Sequence, residues 1–289
     1  MKVSIVTPSF QQGEFIERTL QSVSMQSGAE IEHVVFDGGS SDDTVAILQR
    51  WSDRVRWRSE PDRGQTHAVN KGIDATDGDI IGWLNSDDIY YAAAVERVVA
   101  FFAANPDVDV VYGLADHIDE NDVSFEDYPT TDWDFKKLQK ACFICQPAAF
   151  FRRSALTRYG MLDESLRYCM DYEFWLRLGN AGARFAHLQH KLAGSRLYAT
   201  NKTLGSRVAV HAEINDVMKR LFGRVPDRWL WNYATAVTET RIDRNRAPLR
   251  FRMRLLATVV EAARRWNGSG AISVVMADVA RRFRHRERR

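Results

Sequence analysis

Apolar residues in the first 112 positions follow two alternating rhythms. Short unbroken runs, Lys2 to Val6, Val34 to Phe36, Val55 to Trp57, Ile80 to Leu84 and Val108 to Val111, have the length and composition of strands covered on both faces. Between them the apolar positions fall three and four apart: Ile16, Thr19, Leu20 and Val23 in one segment, Thr44, Ile47, Leu48 and Trp51 in the next. That spacing lines one side of a helix. Further helices are predicted around His67 to Ile73 and over Ala92 to Ala104. Strands separated by helical stretches of this length build βαβ units, so the predicted fold class is α/β, with a mostly parallel, Rossmann-like sheet flanked by helices. Ligands of such sheets sit beyond the carboxyl ends of the strands.

From residue 113 to about 200 the patterning is mixed and richer in aromatic residues, with a strand predicted at Ala148 to Phe151 and a helix at Tyr172 to Leu178. Residues 203 to 240 and 249 to 285 read as a helical extension, interrupted at Gly268-Ser269-Gly270. Three parts are expected, 1–112, 113–202 and 203–289. With 289 residues, 45% hydrophobic and 27% charged, the chain is neither disordered nor fibrous.

The net charge of +2 hides an asymmetry. Residues 241–289 hold 14 Arg and no Lys against four acidic residues, which leaves the first 240 with 26 basic and 34 acidic groups. An arginine-rich tail on an acidic body points to an anionic partner or to a solvated helical face. Phe251, Leu255, Val259 and Ala262 share one side of a helix among arginines, a pattern suited to a membrane surface or to packing against the preceding α/β domain or a second subunit. No nucleic-acid-binding module is recognisable. Cys142, Cys145 and Cys169 are too few for a disulfide framework, and the lone Cys-x-x-Cys lacks the second pair of a zinc site. The apolar run Val3 to Val6 is too short for a secretory signal, so the expected compartment is the cytoplasm, with attachment to the inner membrane face as its extension.

Three loops at strand ends carry polar residues that strands and helices do not require. The first, Thr7-Pro8-Ser9-Phe10-Gln11-Gln12-Gly13, is neither a dinucleotide fingerprint nor a Walker loop, and its Pro and Phe suit either a wall for a base or a structural turn. In the second, Asp37-Gly38-Gly39-Ser40-Ser41-Asp42-Asp43-Thr44, the later residues suit a helix start, but Asp37 precedes two glycines where a carboxylate can accept a pyrimidine imino N–H. The third, Asn85-Ser86-Asp87-Asp88, sets like charges side by side after a buried strand. That arrangement calls for a compensating cation, and hard divalent ions take one or two carboxylates together with phosphates. Turn and cap roles for Asp87 and Asp88 are the structural alternative.

Taken in order, these loops with Ser59-Glu60-Pro61-Asp62-Arg63-Gly64-Gln65 and Asn70-Lys71-Gly72 resemble the family 2 glycosyltransferases of GT-A fold over roughly residues 1–200. The resemblance implies an inverting, metal-assisted transfer from a nucleotide diphosphate sugar, UDP- or dTDP-linked, to a hydroxyl of a glycan or lipid-linked acceptor. Residues 1–112 then form the nucleotide-sugar-binding half and 113–202 the acceptor-binding half. It also implies nucleotide contacts at Thr7, Pro8, Phe10, Asp37, Asp62, Lys71, Asn85, Ser86 and Asp87, with Asp87 holding Mn²⁺ or Mg²⁺. Asn85 departs from the family's usual Asp.

Gly160 to Glu164 followed by Met170-Asp171-Tyr172-Glu173-Phe174-Trp175 resembles the family's catalytic segment, with Asp171 as general base and Met170 in place of the usual Glu; alone, Asp171 would suit an N-cap equally well. Gln146 falls where an acceptor sugar is contacted, and Leu192 to Thr203 where a loop covers the donor. Relatives often have a His where this chain has Tyr198. A sugar-nucleotide sensor or scaffold that has lost catalysis is the alternative that Asn85 and Met170 raise. A nucleotidyltransferase would need a basic, glycine-rich first loop, which Thr7 to Gly13 is not.

Overall fold

In the computed structural model, which describes residues 1–198 and 205–268, strand β1 (Lys2–Ser9) is buried at every position but its first. It pairs in parallel with β2 (Glu30–Asp37) on one side and β4 (Ile80–Trp83) on the other, and β2 pairs in parallel with β3 (Arg56–Ser59). Helices α1 (Ile16–Ser24), α2 (Thr44–Arg50) and α3 (Gln65–Asp74) make the connections. The predicted helix stripes are the buried ones: Ile16, Thr19, Leu20 and Val23 on α1, and Thr44, Ile47 and Leu48 on α2. Gly72 explains part of the Asn-Lys-Gly motif, because a Cβ there would stand 2.3 Å from Val6 Cγ1. Only a bare backbone lets α3 lie this close to β1.

Beyond β4 the sheet is mixed rather than parallel. Its order is β3-β2-β1-β4-β8-β6-β9-β5, with β7 paired to the last residues of β6 off this path. Strand β5 (Ile89–Tyr90) leads into α4 (Ala94–Ala104) and β6 (Val110–Ile118), which turns back as β7 (Ser124–Asp127). After the short α5 (Phe135–Leu138), β8 (Ala149–Arg152) enters between β4 and β6, antiparallel to both. Helices α6 (Arg153–Tyr159) and α7 (Met170–Asn180) precede β9 (Phe185–Arg196), which runs parallel to β6 and antiparallel to β5. Residues 1–112 and 113–198 thus share one sheet, and Met1–Tyr198 is one compact unit. The described residues 205–268 belong to a second.

The second unit contains α8 (Arg207–Phe222), α9 (Asp227–Glu239) and α10 (Pro248–Asn267), with a break at Gly223 that periodicity alone did not reveal. Phe251, Val259 and Ala262 of α10 are buried, and Leu255 is half-buried. The stripe proposed for a membrane is therefore used inside this unit, where α10 packs on α9 and α8. No helix among the described residues is long and apolar enough to cross a membrane. Positions 199–204 of the expected donor loop, Ser269 and Gly270 of the expected break, and the helix expected as far as 285 lie outside the described residues.

One buried group gives the fold a pH signature. His33 is buried with Nε2 3.0 Å from Thr7 Oγ1, and burial pushes its pKa down to about 3. The unfolded chain takes up this proton below about pH 6.5 and the folded chain does not, so stability falls as pH drops from 6.5 towards 3. At pH 5 the expected contribution is about 2 kcal/mol. Urea unfolding of His33→Gln should show a correspondingly flatter change between pH 7 and pH 5, and identical slopes in variant and wild type would refute a neutral His33.

Candidate active site

The polar loops follow the carboxyl ends of the parallel strands, and strand register sets them side by side. Ser9 pairs with Asp37, Asp37 with Ser59, and Val6 with Trp83. The chain steps outward from β1 through β2 to β3 and then crosses back to β4, so the crevice above β1 and β4 is a topological switch point. Because β8 is antiparallel to β4, its beginning lies at the same edge, which brings Cys145 and Gln146 to the crevice.

At the β1–β2 end, Phe10 is 60% exposed. A Cβ on Gly38 would stand 3.1 Å from Asp62 Oδ2 and 3.2 Å from the Phe10 ring. A flat ring, a stretch of bare backbone and a carboxylate oxygen therefore meet in one slot. Asp62 Oδ1 accepts the Gly64 N–H at 2.7 Å, and Oδ2 accepts no hydrogen bond among the described residues. Asp37 differs: it is buried, Oδ2 accepts from Gly39 N (3.1 Å), Ser40 N (2.8 Å) and Ser59 Oγ (2.6 Å), and Oδ1 accepts from Ser40 Oγ (2.6 Å). Its geometry is that of an organiser of the 38–40 loop. Strand alternation turns Thr7 inward onto His33, and Pro8 is buried too. Lys71, expected near phosphate, is ion-paired with Glu60 and lies over the Phe36 ring.

The acidic turn begins where Leu84 N donates to Val6 O at 3.0 Å. Asn85 uses its whole amide within the protein. Oδ1 accepts from Gln65 Nε2 (2.8 Å) and Trp83 Nε1 (2.9 Å), while Nδ2 donates to Asp88 Oδ2 (3.2 Å) and Gln146 Oε1 (2.8 Å). The departure from Asp at this position thus supplies a crosslink that a carboxylate has no donors to make. Gln146 is buried, its Nε2 donates to Trp83 O and its Oε1 accepts from Asn85, so both ends of its amide are anchored to the acidic turn and β4. Ser86 is buried, and its carbonyl accepts from Thr19 Oγ1 at 3.0 Å.

Asp87 and Asp88 diverge in role, and neither caps a helix, because β5 follows and α4 begins only at Ala94. Asp88 is buried and accepts Arg196 N at 2.8 Å. Burial first and the Asp87 charge second hold its carboxyl well above the usual carboxylate range. Asp87, half-exposed, accepts the Tyr198 hydroxyl at 3.0 Å on Oδ2, and burial raises its pKa against the opposing pull of that bond. Arg196, wholly buried, braces the turn: Nε donates to Asp87 O at 2.7 Å, and the guanidinium lies over Phe15 and pairs with Asp122. The sequence signal for this brace was present in the Leu192 to Thr203 segment, but nothing in it showed that Arg196 and Tyr198 would act on residues more than a hundred positions earlier.

Asp171 lies in the first turn of α7, whose N-cap is Cys169, so it is not itself the cap. Of the two acids in that turn, Glu173 is buried and neutralised by Arg177 at 3.0 Å, while Asp171 is half-exposed. Burial raises the pKa of the Cys145 thiol, and the charges of Asp88 and Asp171 raise it further. Asn70 ties the approach to α7 in place by donating to Leu162 O at 3.0 Å. Of the residues expected at the site, Phe10 is exposed, Asp62, Lys71, Asn85, Asp87 and Asp171 are half-buried, and Thr7, Pro8, Asp37, Ser86 and Gln146 are buried.

A switch-point crevice with an aromatic slot and an acidic turn fits a GT-A glycosyltransferase, and comparison with known proteins agrees. The Glycosyl transferase family 2 model matches residues 4–160, and the chain belongs to that family. It is an enzyme of the glycosyltransferase class. It is 28% identical over 228 residues to the chondroitin synthase of Escherichia coli, covering 76% of this chain and 33% of that protein. It is 27% identical over 197 residues to a PGL/p-HBAD biosynthesis glycosyltransferase of Mycobacterium bovis, covering 66% of this chain and 75% of that protein. The chain thus spans only about a third of the first relative's length. Among solved structures, S. aureus TarS 1-349 in complex with UDP-GlcNAc superposes with a TM-score of 0.63 at 14% identity, over 95% of this chain and 84% of that one. A mannosyltransferase from Pyrobaculum calidifontis in complex with GDP-Man and Mn²⁺ gives 0.61 at 16% identity, over 90% and 85%. At these identities the likeness is one of fold.

Proposed function

We propose that this enzyme moves a sugar from a UDP- or dTDP-sugar to a hydroxyl of a glycan or lipid-linked acceptor with inversion at the anomeric carbon, working at the cytoplasmic side of the cell. What supports the reading is the switch-point crevice over β1 and β4, where the Phe10–Asp62 slot and the acidic turn at Asp87 follow neighbouring strand ends, in a chain of the Glycosyl transferase family 2. The acceptor hydroxyl attacks the anomeric carbon as the bond from that carbon to the diphosphate oxygen breaks, and Asp171 takes the hydroxyl proton. An ordinary carboxylate, with a pKa of about 3.9, is ionised at neutral pH but weakly basic towards an alcohol. Proton transfer is then late, and the position of Asp171 supplies much of its effect.

The donor set fits a divalent cation that arrives with the diphosphate better than one caged by protein. No group of three or more His, Cys, Asp or Glu side chains converges among the described residues. Asp87 supplies a hard oxygen ligand whose burial disfavours an uncompensated charge. Mg²⁺ and Mn²⁺ are commonly bound by one or two carboxylates with phosphates and water. When bound there, such a cation would neutralise charge on the departing diphosphate.

Asp62 Oδ2 at the Phe10 slot suits an imide N–H of uracil or thymine. Thermal melting with UDP, dTDP and GDP, each with and without Mn²⁺, tests the donor reading. A nucleotide at about a hundred times its Kd should stabilise the chain by about 2.7 kcal/mol, a rise of several degrees. UDP or dTDP should give that rise and GDP a smaller one; a rise with GDP alone would overturn the pyrimidine reading. Release of free nucleotide diphosphate on adding acceptor separates an enzyme from a sensor.

A further inference from the structure

We infer that α10 carries a docking surface for an anionic lipid bilayer, formed by Leu249, Met253, Leu256 and Val260 between flanking arginines. These residues stand at i, i+4, i+7 and i+11, so they make a second apolar stripe on a helix whose first stripe, Phe251, Val259 and Ala262, is buried. Leu249 is 70% exposed and Met253 69%, and Leu256 and Val260 are half-buried. Two exposed large apolar side chains one turn apart, continued along the same line by two half-buried ones over 12 residues, form a ridge, unlike the isolated surface leucines common in soluble proteins.

Charge selects the occupant. Helix α10 holds five arginines and one acidic residue, Glu261. Arg254 pairs with Glu261 at 3.8 Å, and Arg265 lies over the Trp266 ring. Arg250, Arg252 and Arg264 are exposed and make no ion pair among the described residues. At 100° per residue, Arg252 falls on one side of the ridge and Arg264 and Arg250 on the other. A second copy presenting the same face about a two-fold axis would set arginine against arginine. A nucleic acid would attract the arginines but leave Leu249 and Met253 in water. A bilayer surface rich in anionic headgroups takes both, with the apolar ridge at the acyl boundary and the guanidinium groups at the phosphates. This surface lies within the carboxyl-terminal unit and does not depend on the reading of the donor site.

The test is co-sedimentation of the full chain with phosphatidylcholine vesicles, with and without phosphatidylglycerol. Wild type should bind the anionic vesicles and lose binding in high salt. Leu249→Ser with Met253→Ser should weaken binding by roughly 10- to 100-fold, and Arg250→Gln, Arg252→Gln and Arg264→Gln by roughly fivefold each. Both sets change exposed positions, so melting temperature and UDP binding should stay as in wild type. Loss of UDP binding in wild type would count against the donor site and leave the ridge standing. Equal binding of wild type and the Leu249/Met253 variant would overturn the proposal, as would wild-type binding to neutral vesicles alone. Analytical ultracentrifugation showing a dimer abolished by the same two substitutions, without vesicle binding, would assign the ridge to a second copy instead.

Discussion

Asp171→Asn is expected to lower sugar transfer by about 10²- to 10⁴-fold, the range removed with a positioned general base, while the affinity for the nucleotide diphosphate changes less than about twofold, or 0.4 kcal/mol. The amide keeps the size of the carboxylate, and the first turn of α7 does not use Asp171 as its cap, so the helix should form as before. Its apolar residues Phe174, Trp175, Leu176 and Leu178 are all buried and hold it independently of the first turn. Two measurements on one preparation decide the matter: release of nucleotide diphosphate with acceptor present, and calorimetric titration of the nucleotide without acceptor. Loss of both together would make Asp171 a structural residue and remove the base from the mechanism. Transfer at the wild-type rate would do the same.

Asp87→Ala should have the second largest effect, abolishing the part of nucleotide binding that depends on Mn²⁺, with a loss of about 10²-fold, or about 2.7 kcal/mol, when the metal is present. Without metal, wild type and variant should bind alike. The folded chain should tolerate the change. The Asp87 carboxyl has a raised pKa because burial disfavours its charge, so at neutral pH the ionised group weakens the fold, and its removal should leave the melting temperature unchanged or higher. That separates a binding defect from unfolding. Titrations of wild type that are the same with and without Mn²⁺ would refute the role given to Asp87.

Much of this architecture was legible from periodicity because strands and helices of the first 112 residues obey local rules. The α1 and α2 stripes are buried as spacing predicted, and β1 is a central strand. Strand β9 was not legible for a physical reason: it is exposed in its middle, shifts register against β6 and then takes β5 as a second neighbour, so no single alternation runs along it. In α10 two apolar stripes share one helix, and the reading that chose Phe251 selected the buried one.

The motifs located the site, but could not say which polar residues face it. Asn85, Gln146 and Asp37 look like ligand contacts in sequence because they are polar and lie at strand ends. In the fold their hydrogen-bonding capacity is taken up by partners such as Gln146 for Asn85 and Ser59 for Asp37, separated by tens of residues. Tyr198 reaches Asp87 across 111 positions. Satisfaction of a polar group over such separations depends on the assembled sheet, and local pattern carries no trace of it.

The insertion of β8 beside β4 has a consequence for how this enzyme can change. Asn85 follows β4 and Gln146 precedes β8, and the two strands are joined rung by rung from Ile80 opposite Arg152 to Gly82 opposite Phe150. The interval between the loop that leaves β4 and the segment that enters β8 is therefore a ruler of pleated backbone, one strand spacing of about 4.8 Å, and not a hinge angle. Changes of sequence or length in the outer segments between β7 and β8 leave that ruler unaltered.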